Sequence, residues 1–541
     1  MGFDIVIENG TVYDGSGAEG VRADVGIVGD RVEAVGEMPG AEAARRLDAT
    51  GMAVCPGFID IHSHSDLTLI YNYRAESKLR QGVTTECLGQ CGLGVHPVRD
   101  ADKQHLRDAC SFICGAPVDW SWESTGEYVE ALQAAGPSLN AAPMVSHGPV
   151  RARVMGFTDA PPTPEQLDQM CGVLEQSFDE GAVGLSFGLA YAPGAAATTE
   201  EVQALCRVAA RSGKHVSVHI RNEGPRVIEA LEEVIGVARA LLAEDLGLRL
   251  QIDHLKTSGP RNWRFAEQAL ETVEGAHAEG IDIAFDVYPY NVASRHLTGS
   301  FPVAMHAGGN EMLMGRLADP DVRDAMRGQL ADYEAGASDH HPLEFEPDLI
   351  QIVNLDTEKN QSLIGKFLSE IIEETGGDQI DTVLDLIIEE NGHLDVALHS
   401  MDDANVERNL RHPLSMIGSD GFALAPYGAL SAGRPHPRSY GTFPRFLGRY
   451  VREKGIMSLA EGIHKCTARP ATRLNLSDRG LLREGYRADV TVFDPDAIID
   501  RATFEQPHQY PDGVQWVIVN GVVSVEAGEH TGAGAGSVLR N

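Results

Sequence analysis

The run F-I-D-I-H-S-H, Phe58 to His64, ends in two histidines spaced two residues apart. Residues at that spacing on a strand point to one face, so His62 and His64 can offer two imidazoles to one metal ion. Two hydrogen-bonded histidines near a turn would look the same. Their place at the end of an apolar run that follows Pro56 and Gly57 favours the metal. Cys91, in V-T-T-E-C-L-G-Q-C-G, is either a thiolate ligand suited to zinc or a small buried hydrophobe. His219 closes S-V-H and His254 closes Q-I-D-H, and neutral imidazole is a common zinc ligand. Asp420 closes S-M-I-G-S-D. Zinc lowers the pKa of a bound water to about 7, and a carboxylate beside it can take the proton and pass it to a leaving nitrogen. The plainer reading of Asp420 is a turn residue before Gly421. His147, His296, His399 and His436 have weaker individual claims. His147, closing A-P-M-V-S-H, either faces a substrate or is structural. Cys87 reads as buried, and Cys110 and Cys114 as structural, although their spacing would suit a metal.

Each of the stronger candidates follows a short apolar run, and those runs are the elements that must position them. Candidate strands are Gly57 to Ile61, Val83 to Leu88, Ala142 to Ser146, Gly184 to Phe187, His215 to His219, Leu248 to Asp253, Ile281 to Asp286 and Ser415 to Ser419. Helical patterns lie between several of them, for example Pro164 to Glu180 and Thr199 to Ser212, the second with an acidic first turn. Eight strands with helical connections predict an α/β protein built on a TIM-like (β/α)₈ barrel over residues 56–477, with its chemistry at the C-terminal strand ends. The stretch from Asp286 to Ser415 is too long for one connection. It predicts an insertion at 291–412, placed as a lid over the barrel mouth. Short strands and turns also fill residues 1–55 and 478–541, with Asn520-Gly521 as a hairpin signal. These ends predict one small β-sandwich domain split between the two termini. The Gly- and Ala-rich residues after Val525 are expected to lack order.

Composition bounds the partners. The 541 residues carry a formal net charge of −35, which argues against nucleic acid and anionic membrane, since phosphate binding needs clustered Lys and Arg. No apolar run reaches the 18 residues of a membrane span, and Met1 to Gly10 lacks the pattern of a signal peptide. A cytoplasmic location is expected. Eight cysteines are too few for a disulfide scaffold in a chain of this length. The oligomeric state is not legible.

The ordered set H-x-H, Cys, His, His and Asp on successive strands resembles the amidohydrolase superfamily. The stretch G-L-L-R-E-G-Y-R-A-D-V-T-V-F-D, Gly480 to Asp494, is similar to the one by which such enzymes rejoin a split β domain. More narrowly, the chain resembles the D-aminoacylase, or N-acyl-D-amino-acid deacylase, family over nearly its whole length. The carriers are G-F-I-D-I-H-S-H-S-D, G-V-T-T-E-C-L-G-Q-C-G, G-L-A-Y-A-P-G, H-I-R-N-E-G, I-D-H-L-K, D-V-Y-P-Y, I-G-S-D-G and H-P-R-S-Y-G-T-F-P-R. The resemblance implies zinc-dependent cleavage of N-acyl-D-amino acids to a carboxylate and a free D-amino acid. It implies one tight zinc on Cys91, His219 and His254, and a second, weaker position lined by His62 and His64, with Cys91 able to bridge. Cys91 stands where many amidohydrolases use a carboxylated lysine. Asp420 would be the general base and then the acid. Lys256, Tyr288 and Arg438 would bind the substrate carboxylate, with Tyr191 beside them. Charge-assisted bonds from Arg and Lys suit that anchor, and a fixed anchor lets a site read chirality. The segment Asn291 to His412 matches no motif, so D-Glu, D-Asp and hydrophobic D-residues all stay open as substrates. A D-specific dipeptidase or a cyclic-amide hydrolase of the hydantoinase or dihydroorotase kind is the runner-up. A non-catalytic barrel is disfavoured because no expected ligand is missing.

Overall fold

The computed structural model describes residues 2–109, 116–338 and 340–540; Cys110 and Cys114 lie outside the described residues. Eight strand segments appear where the apolar runs predict them: Phe58–Asp60, Val83–Leu88, Asn140–Pro143 continuing as Val145–Ser146, Gly184–Gly188, His215–His219, Arg249–Ile252, Ile283–Val287 and Ser415–Ile417. Neighbours in this order pair in parallel. The third segment changes partner at Met144, pairing first with the second strand and then with the fourth. Beyond the strand ends the eighth meets the first: Asp420 N donates to His62 O at 2.8 Å and His64 N to Gly421 O at 3.0 Å. Nearly every residue of these strands is buried, as expected of parallel strands covered on both faces.

The connecting helices start where local chemistry tells them to. Thr163 and Gln166 form a capping box ahead of Pro164–Asp179, with Pro164 at the first helical position. Thr198 caps Thr199–Arg211 by accepting from Glu201 N. Leu174, Leu205, Leu231 and Val273 from the helices share one core with Leu185, Val216, Leu250 and Ile283 from the strands.

Both chain ends contribute to one further sheet. Its hydrogen bonds run through a single nine-stranded sheet rather than through two separate ones. Ala53–Pro56 pairs antiparallel with Val490–Phe493, joining the two termini. Val519 and Val522 pair across the expected Asn520-Gly521 turn, where both residues have positive φ. The expectation of disorder after Val525 is corrected. Ala141 N donates to Ser537 O at 3.0 Å and Leu539 N to Ala141 O at 2.7 Å, so the tail pairs beside the third strand. Gly536 is needed there: a Cβ would stand 1.9 Å from Leu139 O.

The long connection contains its own antiparallel sheet, Ala293–His296, Leu394–Leu398 and Ile350–Leu355, over a separate apolar core. It ends earlier than the sequence implies. Helix Asp403–Arg411 packs Val406 and Leu410 into the main core and lies against the seventh and eighth strands. Among the described residues, no helix is long and apolar enough to cross a membrane.

Candidate metal centre

The strand ends converge as a parallel α/β layer requires, and three of the residues involved have left-handed backbones. Cys91 has φ +55°, His254 φ +31° and Asp420 φ +50°. Such conformations cost a non-glycine residue of order 1–3 kcal/mol and persist only where the surroundings impose them. At Asp420 the bond to His62 O does so, and at His254 its N–H donates to Asp286 Oδ1 at 3.0 Å. At Cys91 the loop lies directly on the fourth strand. A Cβ on Gly188 would sit 1.8 Å from Cys91 O, so only glycine permits this approach.

All ten residues singled out from the sequence come together. Cys91 Sγ lies 3.3 Å from His62 Nε2 and 3.4 Å from His254 Nε2. His254 Nε2 is 3.1 Å from His219 Nδ1. Among the described residues, ligand atoms close enough to share one ion occur as His62, Cys91, His254 and Asp420, as His219, Glu223 and His254, and as His62, Asp253 and Asp286. His64 is in none of these sets; its Nε2 contacts Asp420 Oδ1 at 3.0 Å. Asp420 Oδ2 meets Arg438 Nη1 at 2.8 Å. Lys256 Nζ contacts Glu223 Oε1 at 2.6 Å. Both cationic candidates for holding a carboxylate thus already face a carboxylate of the chain itself. The Arg438 guanidinium lies over the Tyr288 ring, 5.1 Å from its centroid, and Tyr191 packs on His219 at 4.7 Å.

Burial sets the electrostatics. Burial raises the Cys91 thiol far above its usual pKa and holds His219 well below its own, so His219 is neutral and free to act as a ligand. Burial alone would raise the Asp420 carboxyl, but Arg438 and then His62 outweigh it and keep it ionised. Cys91, His219, His254, Lys256, Tyr288 and Asp420 line a cavity of about 30 Å³, with room for one or two waters. Arg295, Glu344 and Phe345 of the long connection close it. Arg295 pairs with Glu344, which has φ +68°. The same residues also line a cleft of about 460 Å³, to which His219 and Glu223 contribute.

The sequence reading missed several residues. Asp286 contacts His62 Nδ1 at 3.1 Å, and the strand-end rule applied to the seventh strand would have found it. Glu223 lies inside the quoted H-I-R-N-E-G. Arg295 and Glu344 carry no local signal. A buried cluster also escaped notice. Lys78, fully enclosed, reaches Asp60 at 2.7 Å, Glu86 at 2.8 Å and Ser419 Oγ at 2.7 Å. Asp60 in turn accepts from Ser419 N, and Glu86 from Ser63 and Ser65. The cluster ties the His62–His64 turn to the strand that bears Asp420. Lys78→Met leaves two buried carboxylates without a counter-charge. It is expected to lower unfolding free energy by about 3–5 kcal/mol, read from the shift of a denaturant midpoint; a shift under a third of that would show the cluster to be neutral to stability.

Residues 45–525 match the amidohydrolase family. The chain is 33% identical to a D-aminoacylase of Alcaligenes xylosoxydans xylosoxydans over 99% of its length and 97% of the relative's. It is 35% identical to an N-acyl-D-glutamate deacylase of the same organism, over 96% and 93%. A solved N-acyl-D-glutamate deacylase from Bordetella bronchiseptica, complexed with zinc and a phosphonate mimic of the tetrahedral intermediate, superposes with a TM-score of 0.83 at 31% identity over the whole of both chains. The chain therefore belongs to the amidohydrolase family and, within it, to the branch of D-aminoacylases and N-acyl-D-amino-acid deacylases.

Proposed function

We propose that this chain is a zinc-dependent hydrolase of linear amides that releases free D-amino acids from N-acyl-D-amino acids in the cytoplasm. The observation that carries the reading is the convergence of a thiol, imidazoles, the Asp420 carboxylate and the Lys256 ammonium on one cavity, with Arg438 paired to Asp420. We read the eight parallel strands of 56–477 as a closed (β/α)₈ barrel. Residues 1–55 and 478–541 form the split β domain, and the long connection within 291–412 is the cover of the site.

The donor set fits zinc: one soft sulfur, with the His219 imidazole held neutral by burial and the His254 imidazole beside both. Cys91, His219 and His254 would hold the tight ion, and His62 and His64 would line the weaker position beside it. Bound zinc supplies a Lewis acid for the amide carbonyl and lowers the pKa of water to about 7. Asp420 accepts the proton of the attacking water and delivers it to the departing nitrogen. Lys256, Arg438 and Tyr288 take the substrate carboxylate, whose charge replaces Glu223 and Asp420 as partner of the two cations. The Tyr288 hydroxyl has no hydrogen-bond partner among the described residues and is available for it. Tyr191 packs beside them.

The test is a substrate panel run with metal analysis: N-acetyl-D- and N-acetyl-L-amino acids, dipeptides with a C-terminal D-residue, and hydantoins. Zinc-dependent turnover confined to N-acyl-D-amino acids is the expected result. Exclusive hydantoin turnover would refute the proposal, and exclusive dipeptide turnover would replace it with a D-specific dipeptidase.

A further inference from the structure

Glu223 faces the far nitrogens of two imidazoles at once. Its Oε1 is 3.1 Å from His254 Nδ1, and its Oε2 is 3.8 Å from His219 Nε2. The opposite nitrogens, His254 Nε2 and His219 Nδ1, are the ones that converge, 3.1 Å apart, beside Cys91. An imidazole ligates through a nitrogen without a proton, so its other nitrogen must carry one and needs an acceptor. His254 also has a competing neighbour, because Lys256 Nζ is 2.8 Å from the same Nδ1. If Lys256 donates there, the proton of His254 must sit on Nε2, and that nitrogen is lost as a ligand. Lys256 Nζ also has Glu223 Oε1 within 2.6 Å, a charged acceptor that competes with His254 Nδ1 for its protons. The loop that carries Glu223 is pinned to the sixth strand's loop by Ser258 N donating to Glu223 O at 2.7 Å.

We propose that Glu223 is a positioning residue: its carboxylate gives His254 Nδ1 the acceptor that the ligand tautomer needs and competes with that nitrogen for the protons of Lys256. It rests on the assignment of these histidines to the metal, but not on the identity of the substrate. The test measures zinc affinity by chelator competition on the metal-stripped full chain, beside its metal-free unfolding midpoint. Glu223→Gln, which keeps the shape, is expected to weaken zinc binding roughly 10- to 100-fold, beyond whatever fall in the metal-free midpoint comes from unpairing Lys256. Glu223→Asp, which keeps the charge, is expected to bind zinc more tightly than Glu223→Gln; a packing role would rank them in the reverse order. Unchanged affinity in Glu223→Gln, or the reverse ranking, overturns the proposal. A wild-type chain that binds no zinc would instead overturn the metal reading beneath it.

Discussion

Asp420→Asn is expected to lower kcat by a factor of about 10²–10⁴ while leaving the bound zinc in place. The amide keeps the size of the carboxylate and its contacts with His64 and Arg438, but it cannot take a proton. The native carboxyl is well placed for that work. One oxygen faces the His62 and His64 imidazoles at 3.5 and 3.0 Å, and the other faces Arg438. Burial opposes its ionisation, but Arg438 and the imidazoles prevail, so it enters the reaction as a base. KM should not rise, since a neutral amide competes less than a carboxylate with the substrate carboxylate for Arg438. Release of free D-amino acid and elemental analysis of the same samples check both halves. Wild-type turnover in the variant would remove Asp420 from the proton transfer.

Cys91→Ala should strip the protein of its tight zinc, whereas His62→Ala should lower activity and retain one ion. Cys91 Sγ is the atom shared by the two sides of the centre, within 3.4 Å of both His62 and His254. Its burial makes the free thiolate expensive, so the proton leaves only when a cation takes its place. Removing sulfur therefore removes both a ligand and the charge that offsets the ion. His62 lies on the other side, with its Nδ1 held by Asp286, and Cys91, His219 and His254 all remain after its loss. Zinc per chain after exhaustive dialysis distinguishes the two variants. Equal stoichiometry in both would mean that Cys91 is not in the tight site.

The eight strands were legible because parallel strands buried on both faces read as unbroken apolar runs, and their ends then pointed to the ligands. Pairing information was not legible. The third strand changes partner at Met144, and helix Asp403–Arg411 belongs to the main core although it follows the inserted sheet directly. The tail misled for a related reason. Its glycines and alanines show no side-chain pattern, and its order comes from backbone bonds to Ala141. At the site, residue type revealed donors but not the partners that orient them. Glu223, Asp253 and Asp286 read locally as ordinary acidic residues. The left-handed backbones of Cys91, His254 and Asp420 were hidden because no glycine marks them.

The join between the termini has a consequence for biosynthesis. Cys55 and the Thr491 carbonyl it contacts are 436 residues apart. At about 5–20 residues per second, the strand Ala53–Pro56 waits roughly 20–90 s on the ribosome for its antiparallel neighbour. Through that interval it presents an open, apolar edge, the kind of surface that recruits other chains. Nascent chains stalled before Val490 are thus candidates for chaperone capture or aggregation, not smaller versions of the enzyme. The demand on cellular quality control is set by where this sheet's last strands are encoded, independently of how stable the finished fold is.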